Sequence, residues 1–381
     1  MLMILLKPFK LKQRKKADFI RLFFILLMAN LFNASTTFAV SFIIESEVDS
    51  YSEPVPVYQI SHDWKKGFQE GSFAYAHGSF KTGIAISKTR FHFGYIQRYD
   101  YVIDLNPDTA ELIYFSEQDI SIPDGSEYEI DFTGHHNKSN GVYLGTEFSW
   151  RGKTHLYVES QFLFSNQIED ARLVGQGSAD EDGGIQAMAN IEYRYNEDKL
   201  FELNNKGEPK AKGIALAMKG EHSEGKHHFR LDIKDLYYRM DWDRAAGTLG
   251  RLDSNVVVTD ESGFTHVYPV FQGRFINEAY RQRLRPRMLL NHSVELENFT
   301  VGWGYRYAHR YRSYLFKIGM DVFGLNHEFA YEIKAKAYSY RISRESFYLN
   351  MILDSHFEAS YRVNLSFGFQ INYSCNVVAF Q

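Results

Sequence analysis

This sequence predicts an all-β fold, a single closed antiparallel transmembrane β-barrel of about fourteen to sixteen strands. Three observations carry that prediction. From Phe357 to Tyr373 every odd position is apolar or aromatic and every even position is small or polar. Such alternation marks a strand with one face in an apolar medium and the other in a wet one. The chain also holds 31 Phe and 26 Tyr while its mean hydropathy stays negative, which excludes a bundle of membrane helices. Finally, from about Phe68 to Tyr373 two-faced segments alternate with turn signals, with no helical period longer than a turn or two and no interdomain linker.

The opening residues set the compartment. Lys7, Lys10, Lys12, Arg14, Lys15 and Lys16 precede the apolar stretch Leu22 to Phe32, and Thr37-Phe38-Ala39 supplies small residues for cleavage. Residues 1–39 therefore read as an export signal cut after Ala39. Their apolar stretch contains Asn30 and falls short of the roughly 20 apolar residues a spanning helix needs. No Cys lies near the cut, which argues against a lipid-anchored start. Residues 40–66, with Pro54 and Pro56, read as an extended periplasmic lead-in. Residues 67–373 read as the barrel and 374–381 as a C-terminal tail. Cys375 is the single cysteine, so a disulfide framework and a cysteine-based zinc cluster are excluded. Removing the seven basic and one acidic residues of 1–39 leaves 36 Lys+Arg against 46 Asp+Glu, a net charge of −10. That balance argues against nucleic-acid binding.

Along the barrel, Phe91 to Leu105 alternates and meets the turn Asn106-Pro107-Asp108. Tyr128, Ile130 and Phe132 alternate with Glu127, Glu129 and Asp131. Val142 to Trp150 turns at Arg151-Gly152-Lys153 and returns to Phe164, and Ile185 to Tyr195 turns at Asn196-Glu197-Asp198. Phe299 to Tyr307, Tyr314 to Phe323 and His327 to Tyr340 complete a run of hairpins. Between Lys234 and Asp235 the alternation slips phase, which predicts a β-bulge. Closure of these strands removes edges that so many apolar segments would otherwise expose. Counting strands back from a periplasmic C-terminus puts residues 243–285 on the periplasmic side, where connections are short, so they read as a plug or a long loop.

Taken together, these residues resemble Gram-negative outer-membrane β-barrel proteins of the porin-like class, over essentially the whole mature length. In that class the last strand serves as an assembly signal, and Leu365, Phe367, Phe369, Ile371 and Tyr373 match it, with the tail "SCNVVAFQ" as the departure. The resemblance implies residence in the outer membrane, contact with its lipid and lipopolysaccharide, insertion by the barrel-assembly machinery, and passage of small polar solutes. It implies no cofactor and leaves the oligomeric state open. A surface scaffold or adhesin with ligand-binding loops is the alternative, and an outer-membrane enzyme a lesser one.

In such a barrel the polar faces line the lumen. The pore-lining candidates are Arg362, with Asn364, Gln370 and Asn372, and the acidic residues Glu127, Glu129 and Asp131. The sharpest cluster is "RQRLRPR": Arg281, Arg283, Arg285 and Arg287 share one parity and read as an arginine ladder or a constriction. Pro286 objects to an uninterrupted strand there. Guanidinium groups at the narrowest ring would give a weak anion preference, because a pore selects at that ring. Glu169-Asp170 and Asp180-Glu181-Asp182 read as opposing acids or as solvated loops. "ADEDGG" matches no defined calcium loop. His135-His136 read as part of the loop "GHHNKSNG" and His227-His228 as the start of a strand; adjacent residues on a strand face opposite sides, so neither pair makes a metal site alone, and no nucleophile motif accompanies them.

Overall fold

A computed structural model of the chain describes residues 38–62, 64–65, 67–86, 90–179, 185–198, 208–259 and 265–375. The segment expected to be an export signal, as far as residue 37, the acidic stretch 180–184 and the tail from 376 lie outside the described residues. The alternation seen in the sequence becomes sixteen antiparallel strands: β1 (Phe38–Ser52), β2 (Phe73–Ile86), β3 (Phe91–Leu105), β4 (Glu127–Trp150), β5 (Thr154–Ala179), β6 (Ile185–Tyr195), β7 (Ala211–Glu224), β8 (His227–Thr259), β9 (Thr265–Gln282), β10 (Arg287–Glu295), β11 (Thr300–Ala308), β12 (Tyr311–Val322), β13 (Leu325–Glu332), β14 (Ala337–Arg344), β15 (Phe347–Leu353) and β16 (Arg362–Cys375). One α-helix, α1 (Pro107–Gln118), joins β3 to β4.

Fourteen strand positions close the ring. β16 pairs β1, the order then runs through β2, β3, β4, β5, β7 and β8, β8 pairs β10, and the ring returns through β11 to β15. Strands β6 and β9 are not extra staves. β5 pairs β7 along residues 154–165 and β6 along 169–179, so β6 and β7 are two halves of one stave. Likewise β8 pairs β10 along 227–234 and β9 along 240–259. The far halves of β4, β5 and β8, together with β6 and β9, thus stand beyond the rim as an extension. The chain turns back within a few residues at 151–153, 225–226, 296–299, 323–324 and 345–346, and Phe38 and Cys375 pair at that same end. All the long connections lie at the opposite end.

Outward positions are apolar: Val142, Leu144, Phe162, Phe229, Phe316, Ile318, Leu365, Phe367 and Phe369 are exposed. Aromatic residues gather at both borders of that band, Phe148, Trp150 and Tyr373 at the short-turn end, Tyr237, Tyr314 and Tyr338 at the other. Girdles of this kind sit at the two membrane–water interfaces. Inward positions such as Asn364 and Ser366 are polar and buried, the reverse of a soluble core.

Several expectations from the sequence change. Residues 38–52 form β1, a stave of the wall and no lead-in, because Phe42, Ile44 and Val48 alternate with Glu45, Glu47 and Asp49. The chain also contains a helix. Asn106 caps α1 by accepting from the Thr109 amide at 2.9 Å, Pro107 opens it, and Asp119 ends it in the left-handed region at φ 51°. The last strand starts at Arg362, preceded by a short 3-10 turn at Phe357–Ala359, and it runs on into the tail as far as Cys375. Glu169, Asp170, His135 and His136 lie within strands. Within the stretch expected to be a plug or long loop, residues 243–259 continue β8 and residues 265–282 return beside it as β9 at the long-connection end. The bulge is present: β8 slips register between partners Leu216 and Met218, and Asp235 takes φ 55°.

Candidate functional site

The lumen brings together side chains from every part of the ring. A chamber of about 460 Å³ runs from mid-barrel, at His77, Arg98 and Asp235, to the short-turn end, at Ser223, Ser293 and Asn326. Nine acidic and nine basic side chains line it, so its walls carry no excess of either sign.

The charges interlock. On β3, Arg98 gives one nitrogen to Asp235 at 2.7 Å and to Gln161 at 3.0 Å, and another to Asp100 at 3.0 Å. Arg287 of β10 holds the other oxygen of Asp235 at 2.7 Å. The bulge on β8 is what turns Asp235 inward between the two arginines. His77 bonds Asp100 at 2.8 Å and faces His309 at 2.7 Å; the latter sits at the β11–β12 turn with φ 56°. Nearer the short-turn end, Lys81 meets Glu159 at 2.6 Å and Lys234 meets Glu47. A second knot forms where the ring closes: Arg362 of β16 bonds Asp49 of β1 at 2.6 Å and Glu332 of β13 at 3.2 Å, and Tyr311 donates to Glu332 at 3.0 Å. Arg362 and Glu332 are fully buried.

Beyond these knots the lumen is shut by apolar side chains. Tyr51, Phe73, Tyr75, Val102, Ala308 and Tyr311 form one buried cluster, with the Tyr51 and Tyr311 rings 4.2 Å apart. Leu163, Tyr238, Met240 and Trp242 belong to another, which reaches down past the knot to Tyr143 and to Ile96 in the chamber wall. Leu284, in the unpaired segment 283–286 between β9 and β10, packs against both clusters. The chamber is therefore a cup, open at the short-turn end and closed by a septum at the other.

Of the candidate pore residues, Arg287 and Arg362 are in these knots. Arg281, Arg283 and Arg285 are not, and the four arginines make no common ladder. Arg281 pairs across from Asp241 on the outer face, whereas Arg287 pairs across from Lys234 on the inner one. The break at Pro286, which has no amide to donate, is where parity changes. Arg283 and Arg285 lie exposed on either side of the inward Leu284. Glu127, Glu129 and Asp131 keep lumen-side parity, since β3 and β4 pair without a register shift. They lie past the end of β3, however, and are exposed above the rim instead of lining the pore. The opposite face there, Tyr128, Ile130 and Phe132, meets no lipid. It packs with Leu173, Ile191 and Tyr193 under Ala110 and Ile113 of α1 and Trp64 of the β1–β2 connection. Among the histidines, His135 bonds Asp170 at 2.7 Å, and Gln282 reaches the same carboxylate at 3.3 Å, which ties β4, β5 and β9 together. The inward acids Glu45, Glu47, Asp49, Asp100 and Asp235 escaped the sequence reading. For the first four, alternation within β1 and β3 was the available signal; Asp235 sits at the β8 bulge, where alternation slips.

No family model matches the chain, and no curated protein matches it in sequence. Solved structures similar to it include a mutant of the monoaromatic hydrocarbon channel TodX, with TM-score 0.38, 7% identity and 91% of each chain covered. Another is the translocator domain of the autotransporter NalP from Neisseria meningitidis, with TM-score 0.29, 9% identity, and 94% of this chain and 95% of that one covered. The monoaromatic hydrocarbon channel CymD gives TM-score 0.26 and 11% identity, with 92% of each chain covered. At TM-scores this low they carry no argument about this chain's activity.

Proposed function

We propose that this chain is an outer-membrane barrel that passes small polar solutes through a lumen gated by its septum. The observation that carries this reading is the charged chamber of about 460 Å³, closed off by side chains alone and by no separate domain among the described residues. Short connections and both described chain ends belong at the periplasmic side of such barrels, and long connections at the cell surface. Solute then enters the cup from the periplasm, and passage requires the aromatic septum to part.

Planar-bilayer recording tests this. The native barrel is expected to conduct rarely and weakly, while Tyr311→Ala with Leu284→Ala is expected to raise conductance several-fold. Silence of both proteins, each shown to be inserted, would sink the channel reading. It would leave the second one, a surface scaffold, which the extension and α1 favour because they stand clear of the rim.

The balanced lining predicts little intrinsic selectivity, and the anion preference expected from an arginine ladder loses its basis. Asp235→Asn leaves Arg98 and Arg287 without their shared counter-charge and is expected to shift the reversal potential in a salt gradient toward anion preference. Replacing Arg281, Arg283 and Arg285 by Ser is expected to leave it unchanged.

A further inference from the structure

The ion pairs of the chamber leave one cation over. Eight of its nine basic side chains meet a carboxylate at 3.9 Å or less. The ninth, Arg341 of β14, makes no ion pair or hydrogen bond among the described residues. Glu328 stands directly across from it on β13, but a Glu328 oxygen is held by the Lys317 ammonium at 2.9 Å. Arg230, which lines the same chamber, is matched by Glu221 at 3.6 Å. The one lining acid without an ion pair, Asp232, lies five staves away on β8, across from Lys219 in the ladder. The chamber as a whole stays balanced, and the imbalance is local to Arg341. Room is found on the same side. Lys219 and Lys234 reach from β7 and β8 to Glu45 and Glu47 of β1, so these two bridges cross the lumen. On the β2 to β7 side of them, Lys81, Tyr157, Glu159, Gln161 and Arg98 interlock through hydrogen bonds. On the other side the wall from β10 to β16 carries short polar groups, among them Ser293, Asn326, Ser339, Ser343 and Ser366. Arg341 belongs to this wall, its guanidinium carbon 4.8 Å from the centre of the Tyr348 ring, a contact that steadies the guanidinium plane.

We propose that Arg341 binds the carboxylate of a small organic acid whose body is neutral and bears hydroxyl groups. A guanidinium offers two parallel N–H groups, which match the two oxygens of a carboxylate in one plane. One unmatched positive charge suits an anion of charge −1, whereas a doubly charged phosphate would stay half neutralised. The serine and asparagine groups of the same wall supply hydrogen bonds for the hydroxyls. Arg341 lies four residues before the β14–β15 turn at the short-turn end, so the acid meets it from the open end of the cup without crossing the septum. The proposal names the solute class for the chamber and rests on reading that chamber as a solute compartment.

Ligand-observed NMR on the full barrel in detergent tests it, with lactate, its neutral amide lactamide and inorganic phosphate as probes. The native barrel is expected to bind lactate at least fivefold more tightly than lactamide, and an equal concentration of phosphate is expected to leave the lactate bound. Arg341→Gln is expected to erase the preference for lactate while heat-resistant gel migration persists. Glu328→Gln frees the Lys317 ammonium beside Arg341 and is expected to tighten lactate binding at least threefold. That arm stands even where the Arg341 variant fails to fold, and unchanged or weaker binding there would count against the site. Equal binding of lactate and lactamide by the native barrel, or an undiminished preference in a folded Arg341→Gln barrel, would overturn the proposal. Displacement by phosphate would overturn the carboxylate in favour of a general anion site. Bilayer silence of the Tyr311→Ala, Leu284→Ala barrel would instead sink the passage reading and leave lactate binding at Arg341 intact, so the two failures are told apart.

Discussion

Arg362 illustrates how much one side chain holds at this ring. It is fully buried and joins the last strand to the first through Asp49, and to β13 through Glu332. Removing one partner of such a knot leaves the others charged and dry, at a cost of about 3–5 kcal/mol. Arg362→Ala is therefore expected to lower the urea midpoint of unfolding in detergent far more than Arg285→Ala, which removes an exposed side chain. A second residue works at the rim. Glu53, just past β1, binds Lys334 at 2.9 Å and the Ser72 amide at 3.2 Å. Burial alone would raise its carboxyl, but the Lys334 ammonium and the Ser72 amide outweigh burial and hold it below the usual carboxylate range. A lowered carboxylate stabilises the fold above its ordinary value and loses that contribution as pH falls through the lowered one. Hydrogen exchange across 53–72 is expected to quicken as pH drops from about 5 to 3, across the ordinary Glu value near 4.3. Lys334→Ala is expected to flatten that response.

At the scale of elements, α1 shows what the sequence offered and what it withheld. Asn106, Pro107 and Asp108 read equally well as a turn or as a helix start, and the period-two signal on either side favoured the turn. What decides for a helix is the tertiary partner, the apolar face of β4, β5 and β6 that receives Ala110, Leu112 and Ile113. Asn106→Ala is expected to cost about 1 kcal/mol of local stability and to expose the 119–126 connection to protease sooner. The same limit explains the lumen. Parity along β16 correctly put Arg362 and Asn364 inside, because side chains alternate without exception on an unbroken strand. Parity along "RQRLRPR" failed, because the ladder breaks at 283–286 and alternation does not carry across a gap. Membership of the ring was legible from periodicity. The doubling of two staves into β6 with β7 and β9 with β10 was not, since it depends on which half of a long strand each partner chooses.

At the scale of the molecule, the wall is uneven. β13, β14 and β15 span 8, 8 and 7 residues, just short of the roughly 9–11 a tilted strand needs to cross a bilayer, while β4, β5 and β8 span 24, 26 and 33. One side of the barrel therefore ends near the membrane surface and the other rises well past it. Across that rise the chain changes solvent logic without changing parity: outward residues that meet lipid lower down are covered by α1 and the β1–β2 connection higher up. Cleaving the α1 connection is expected to release that cover while the ring itself survives, readable as new protease sites on β4 to β6 with unchanged heat-resistant migration.

The seam between β1 and β16 has a consequence for how the chain reaches this state. Its fourteen paired positions join residues more than 300 apart, whereas most other neighbours in the ring meet across short connections. Closing a loop of that length carries an entropic cost of about 5 kcal/mol on the three-halves RT ln n scaling. The hairpins thus have every reason to form early and the seam to form late, when the remaining curvature already holds its two edges near each other. Until then β1 presents an unpaired edge, so the interval before closure is the period in which the chain is most open to pairing with a neighbour.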